Sequence, residues 1–148
     1  KDNFQFLDGA ENIRIQNEIQ VDSAITDKTR LTVVLNNLIS NAIKYHKQDG
    51  TDQWIKVNIY PNGSNLNVIV SDNGTGIGQD KLSKIFDMFY RGTEISKGSG
   101  LGLYIVRETI EKMNGSIRVE SVEGQGTSFI IKLPVSSMRI AEELAAAV

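Results

Sequence analysis

The chain has 148 residues, 40% of them hydrophobic and 23% charged, with a formal net charge of −2. That is the length of one ordinary globular domain, able to bury a core without a staple, and the absence of cysteine excludes a disulfide scaffold, a cysteine zinc site and a cysteine nucleophile. There is no basic block of five or more residues and no apolar run near the roughly 18 residues of a membrane span, which argues against nucleic-acid binding and against a transmembrane helix.

Lys1 to Asp8 read as the tail of an upstream segment. Asn12 to Gln20 alternates Ile13 and Ile15 with polar neighbours, the pattern of a half-exposed strand. Asp27 stands where a helix N-cap belongs. Leu31, Val34, Leu35, Leu38, Ile39, Ala42 and Ile43 follow at helical spacing, which predicts one helix from about Lys28 to Tyr45. Gln48 to Gln53 is a polar loop, Trp54 to Tyr60 alternates as a strand, and Pro61-Asn62-Gly63-Ser64 reads as a hairpin turn into a strand over Leu66 to Val70, with Asp72 at its end. Lys81 to Phe86 reads as a short helix. Arg91 to Ser99 is polar, contains two glycines and suits a lid. Leu101 to Met113 is a second amphipathic helix, ended by Asn114-Gly115. Strands over Ile117 to Ser121 and Ser128 to Leu133 are joined by Glu123-Gly124-Gln125-Gly126. Ser136 to Val148 is an alanine-rich, helix-prone tail. The mixture predicts a single α+β domain with its core over about 12–134: a two-layer sandwich, with helices on one face of a mixed, mostly antiparallel sheet.

Chemistry concentrates in a few places. Asn37, Asn41 and Lys44 fall at i, i+4 and i+7 and share one helix face. An amide oxygen suits a Mg²⁺ that keeps several waters and takes phosphate oxygens, and a lysine one turn on can neutralise phosphate; alone, the face reads equally as a solvated polar surface. Asp72-Asn73-Gly74-Thr75-Gly76-Ile77-Gly78 follows an apolar strand. Its alternate glycines allow close backbone approach to a ligand, and an aspartate at a strand end can accept from an adenine amino group and repel the guanine carbonyl. No parallel βαβ unit surrounds these glycines, so they are no dinucleotide fingerprint. Gly98-Ser99-Gly100-Leu101-Gly102-Leu103 opens a helix and brings N–H groups and the positive dipole end to a phosphate. Gly124-Gln125-Gly126-Thr127-Ser128-Phe129 reads alone as a structural turn, and Phe86-Asp87-Met88-Phe89-Tyr90-Arg91 as core packing.

Taken in order, these segments resemble the GHKL ATP-binding superfamily and, within it, the catalytic domain of bacterial sensor histidine kinases. NLISNAIKY resembles the N box, DNGTGIG the G1 box, FDMFYR the F box, GSGLGL the G2 box and GQGTSF the G3 region, together covering roughly Asp27 to Pro134. The resemblance implies ATP and Mg²⁺ as ligands. It implies that Asn41 holds the metal, with Asn37 near metal and phosphates, and that Lys44 reaches a phosphate. Tyr45 is expected to border the ribose or base. Asp72 is expected to bind the adenine amino group, with Gly74, Gly76 and Ile77 forming the loop and Gly76 beneath the base. Thr127 is expected to support the aspartate or a bridging water, and Arg91 to reach the γ-phosphate. Gly98, Ser99, Gly100, Leu101, Gly102 and Leu103 are expected to shape the phosphate-facing loop.

Hydrolases of the superfamily (type II topoisomerases, MutL proteins, a heat-shock chaperone) resemble a pattern with glutamate at the first N-box position, a general base. Asn37 stands there in this chain, and a neutral amide is not a useful base. The resemblance therefore implies phosphoryl transfer to a histidine on a separate helical hairpin of the same or a sister chain, with a response regulator downstream. No segment here resembles the acceptor motif. His46, the only histidine, is expected to be a surface residue that replaces the more usual small hydroxyl residue, and Asn114-Gly115 departs from the usual Gly-Gly. The fragment is expected to be monomeric, to bind no nucleic acid, and to be cytoplasmic or the cytoplasmic part of a membrane-bound sensor. The alternatives are an anti-sigma-type serine kinase, which matches the F and G2 segments less well, and a domain that binds nucleotide without phosphoryl transfer.

Overall fold

Alternating segments pair edge to edge, five strands in one sheet and two short strands in a second. A computed structural model describes residues 9–92 and 99–140. After a 3₁₀ turn at Ala10–Asn12 the elements are β1 (Ile13–Ile19), β2 (Val21–Ala24), α1 (Lys28–Lys44), β3 (Gln53–Asn62), β4 (Asn65–Asp72), α2 (Gln79–Leu82), α3 (Gly102–Lys112), β5 (Ser116–Val122), β6 (Gly126–Pro134) and β7 (Met138–Ile140). Five strands form a sheet in the order β1-β3-β4-β6-β5. The β1–β3 pair is parallel and the other three are antiparallel, as the expected mixed sheet requires.

One face of that sheet supplies Ile55, Val57, Leu66, Val68, Val70, Phe129, Ile131 and Leu133, which pack with Val34, Leu38, Ala42 and Ile43 of α1 and Val106 and Ile110 of α3. The alternate positions Arg14, Lys56, Asn67, Arg118 and Lys132 lie on the opposite face, beside Trp54, Ile69 and Ile130. Leu38, Ile43 and Ile131 are essentially inaccessible to solvent, so truncating any of them to alanine costs about 2–5 kcal/mol. Asp27 caps α1, its Oδ1 accepting from the Arg30 N–H at 2.9 Å; such a cap contributes about 1 kcal/mol. Asn114 ends α3 in the left-handed region at φ 58, which asparagine tolerates. Gly115 must be glycine, because a Cβ there would lie 2.6 Å from the Lys132 carbonyl oxygen.

Several segments differ from expectation. The short helix is Gln79–Leu82, not Lys81 to Phe86. Beyond it the chain runs in three-residue turns, Lys84 N–H to Lys81 O, Asp87 N–H to Lys84 O and Tyr90 N–H to Asp87 O. These turns still deliver Phe86 edge-on to Phe129, ring centroids 6.2 Å apart. Residues 138–140, expected in a helix-prone tail, form a strand against β2; residues 141–148 lie outside the described part, as do 1–8. The hairpin turn is shorter than expected: Pro61 and Asn62 belong to β3, and Gly63-Ser64 turns between Asn62 and Asn65.

Candidate functional site

Asp72 ends β4 opposite Thr127 of β6, and Thr127 lies opposite Ser121 of β5. The three side chains make one row on the helix-covered face. The Asp72 carboxylate accepts from the Gly74 N–H at 2.8 Å. Burial raises its pKa from the ordinary carboxylate value, and the neighbouring backbone N–H groups of Gly74 and Thr127 pull it part of the way back.

The loop after Asp72 is held from three sides. Asn73 clips it to the start of β3: its Oδ1 accepts from the Trp54 N–H and its Nδ2 donates to the Asp52 carbonyl, both at 2.8 Å. The Thr75 N–H donates to the Tyr45 carbonyl at the end of α1, 3.0 Å, and the Thr75 carbonyl accepts from Gly124 at 2.7 Å. Ile77 N–H donates to Ser121 Oγ at 2.8 Å, and Gln79 Nε2 to the Ser121 carbonyl at 3.2 Å. The glycines serve this clasp. A Cβ on Gly74 would meet the Tyr45 carbonyl oxygen at 2.5 Å; on Gly76 (φ +69) it would strike the Val122 carbonyl, and on Gly126 (φ +134) the Asp72 carbonyl. At Gly74 and Gly76 the close approach that the glycines permit is to the protein's own backbone.

A cavity of about 580 Å³ opens beside this clasp. Asn41, Lys44 and Tyr45 line it from α1, Asp72, Gly76 and Ile77 from the loop, Thr127 from β6, and Arg91, Ser99, Gly100, Gly102 and Leu103 from the chain before and into α3. Three expected residues are not among the lining. Asn37 donates its Nδ2 to the Val33 carbonyl at 2.8 Å, and its Oδ1 faces the start of α3, 3.1 Å from where a Gly102 Cβ would stand. Gly74 is packed under the Tyr45 carbonyl, and Leu101 is the residue preceding α3, its N–H bonded to Ser99 Oγ at 3.3 Å. Gly98, with most of the expected lid at 93–97, lies outside the described residues. Lining residues not singled out from the sequence include Thr75, Lys81, Ile85, Tyr90, Glu123 and Phe129. Ile85 and Phe129 carried the signal of an apolar phase, while nothing in sequence marked Lys81.

The Lys44 ammonium sits 5.2 Å from the centroid of the Tyr45 ring, a cation–π distance. Gly100 (φ +73) lies so close to the Phe89 backbone that a Cβ would be 2.7 Å from its carbonyl carbon; Phe89 is itself left-handed at φ 63 and 65% exposed. His46 is away from the cavity. It is half-buried, not a plain surface residue: its Nδ1 lies 2.6 Å from the Ile43 carbonyl and its ring covers Gly9. Among the described residues there is no group of three or more His, Cys, Asp or Glu that could hold a metal.

Residues 26–137 match the family of histidine kinase-, DNA gyrase B- and HSP90-like ATPases. The sensor protein kinase WalK of Staphylococcus saprophyticus is 40% identical over 84% of this chain, and WalK of Staphylococcus aureus is 43% identical over 73%. The chain spans only 21% and 27% of the length of those relatives. Among solved structures, the mycobacterial sensor histidine kinase MprB has a TM-score of 0.72 at 26% identity, with 84% of this chain and 83% of that one covered. The catalytic domain of the histidine kinase ThkA has a TM-score of 0.70 at 32% identity, covering 83% and 80%. Full-length ShkA in complex with AMPPNP has a TM-score of 0.75 at 25% identity, covering 88% of this chain and 27% of that one.

Proposed function

This chain belongs to the histidine kinase-, DNA gyrase B- and HSP90-like ATPase family, and we propose that, as the catalytic ATP-binding domain of a sensor histidine kinase, it binds Mg-ATP and donates the γ-phosphate to a histidine on a separate dimerisation and phosphoacceptor domain. One observation carries this most directly: Asp72 and Thr127 share a single cavity with Asn41, Lys44 and Arg91. The volume is of the size that small-molecule sites use. The Asp72 carboxylate accepts the adenine amino group and opposes a guanine carbonyl. Lys44 and Arg91 neutralise phosphate charge, and Asn41 supplies a neutral oxygen to Mg²⁺, which when bound adds further neutralisation at the phosphates.

Transfer is favoured over hydrolysis because Asn37, at the position where a water-activating base would stand, is a neutral amide bonded to the Val33 carbonyl. In phosphoryl transfer the protein mainly positions groups and neutralises charge, which these side chains suit. The partners that fit are a phosphoacceptor helical hairpin in the same or a sister chain and a response regulator downstream, the whole being the cytoplasmic part of a sensor. No helix among the described residues is long and apolar enough to cross a membrane.

Calorimetric titration with a non-hydrolysable ATP analogue, with and without Mg²⁺ and against the matching GTP analogue, tests the proposal. Saturable, adenine-selective, Mg²⁺-sensitive binding is expected; no binding overturns it. With γ-labelled ATP the chain alone is expected to remain unlabelled, and label on His46 would remove the need for a separate acceptor.

A further inference from the structure

We infer that Ser121, which does not line the cavity, is a positioning residue that fixes the hydrogen-bonding polarity of Thr127, so that the Asp72 end of the cavity presents only acceptors and selects a purine bearing a 6-amino group. The inference rests on the ATP-binding proposal and adds to it the origin of base selectivity. Ser121 is 8% exposed and completes the row Asp72, Thr127, Ser121 across β4, β6 and β5.

A serine hydroxyl has one proton to give and two lone pairs to offer. The Gly126 carbonyl, 2.9 Å from Ser121 Oγ, can only accept, so it takes the proton. The Ile77 N–H, at 2.8 Å, can only donate, so it takes one lone pair. Thr127 Oγ1 stands 2.9 Å from the same oxygen, and Ser121 has no second proton to offer it. Thr127 must therefore donate. With its proton committed away from the cavity that it lines, Thr127 turns only lone pairs toward a ligand. When ionised, the Asp72 carboxylate beside it also only accepts. An amino group, or a water held between these two oxygens and donating to both, satisfies the pair; a carbonyl at the purine 6-position meets two acceptors and leaves its own lone pairs unmatched. Such a mismatch discriminates more strongly than a shape difference does.

Removing the Ser121 hydroxyl frees the Thr127 proton to turn toward a ligand carbonyl. The test is calorimetry with the non-hydrolysable adenosine analogue AMPPNP and its inosine counterpart, in Mg²⁺, on the parent and on Ser121→Ala. The preference for adenosine over inosine is expected to fall about tenfold in Ser121→Ala. Loosening of the Ile77 contact weakens both analogues alike and cancels in the ratio, so a merely structural role would leave the preference unmoved. Thr127→Val is expected to lower the ratio similarly, and Ser121→Ala on the Thr127→Val background to change it no further. An unchanged ratio in Ser121→Ala, or a full Ser121 effect without the Thr127 hydroxyl, overturns the inference. Ser121→Cys keeps the volume with a weak acceptor and is judged by the same ratio if the alanine variant does not fold. A parent protein that binds neither analogue overturns the ATP-binding proposal itself; a parent that binds both equally overturns the polarity alone.

Discussion

The two ends of the cavity are built differently. Around Asp72 the polar groups are engaged: the carboxylate by the Gly74 N–H, Ser121 by three partners and Thr127 by Ser121, while the glycines of the loop pack against carbonyls of neighbouring segments. Around Asn41, Lys44 and Arg91 the side chains are looser. Lys44 and Arg91 are exposed, Lys44 leans on its neighbour Tyr45, and among the described residues Asn41 has no side-chain hydrogen bond. The first end is organised by folding, so under the proposed function it would select its ligand without further ordering. The second would lose rotamer freedom on binding phosphates, which would offset part of its charge attraction. The proposed function thus assigns selectivity to the Asp72 end and much of the ordering cost to the other.

The sharpest way to break this contrast is Asp72→Asn. Affinity for a non-hydrolysable ATP analogue is expected to fall on the order of 100-fold, the worth of a hydrogen bond to a charged acceptor. Stability moves the other way. The Asp72 pKa is raised in the folded protein, so between its unfolded and folded values the native state holds the extra proton. Stability therefore declines as pH rises through that window, and the full cost remains above it. A neutral amide at this position does not titrate, so Asp72→Asn is expected to melt higher than the parent at neutral pH and to lose the advantage in acid. A lower melting temperature at neutral pH would mean that the carboxylate is structural.

Next in size is a pair of glycines that both line the cavity. Gly76→Ala places a Cβ against the Val122 carbonyl at positive φ and is expected to cost about 2–3 kcal/mol in urea unfolding. Gly92→Ala meets nothing within 4 Å and is expected to stay within about 0.5 kcal/mol. Equal losses would place the rigid clasp elsewhere. The third test is Asn41→Ala. Its melting temperature is expected to match the parent's, its affinity to drop about tenfold in Mg²⁺, and its binding to become insensitive to the ion. Retained Mg²⁺ dependence would show that Asn41 is not the ligand.

The sequence made the rigid end legible in part. Asp72 was identifiable as a polar residue closing an apolar strand, and α1 could be read from Asp27 onward because a cap and one apolar stripe agreed. Ser121 left a signal that went unused: it continues the inward phase of Ile117 and Val119, and a polar residue in that phase is buried with partners to find. The glycines were visible but their reason was not, because local sequence gives a backbone's need for closeness without naming what comes close. β2 and β7 were missed because Val21–Ala24 and Met138–Ile140 are short, lack clean alternation, and acquire strand geometry only from each other across most of the chain.

The mutual fit of Gly76 with the Val122 carbonyl and Gly126 with the Asp72 carbonyl also bears on the order in which the molecule assembles. The loop at 72–78 and the β5–β6 hairpin are far apart in sequence, and contacts of that kind form late because loop closure must come first. A partly folded chain with β3 and β4 paired would still lack this end of the cavity. On the proposed function, nucleotide would then bind only the finished fold, and at about 100 times its Kd would add about 2.7 kcal/mol to the unfolding free energy.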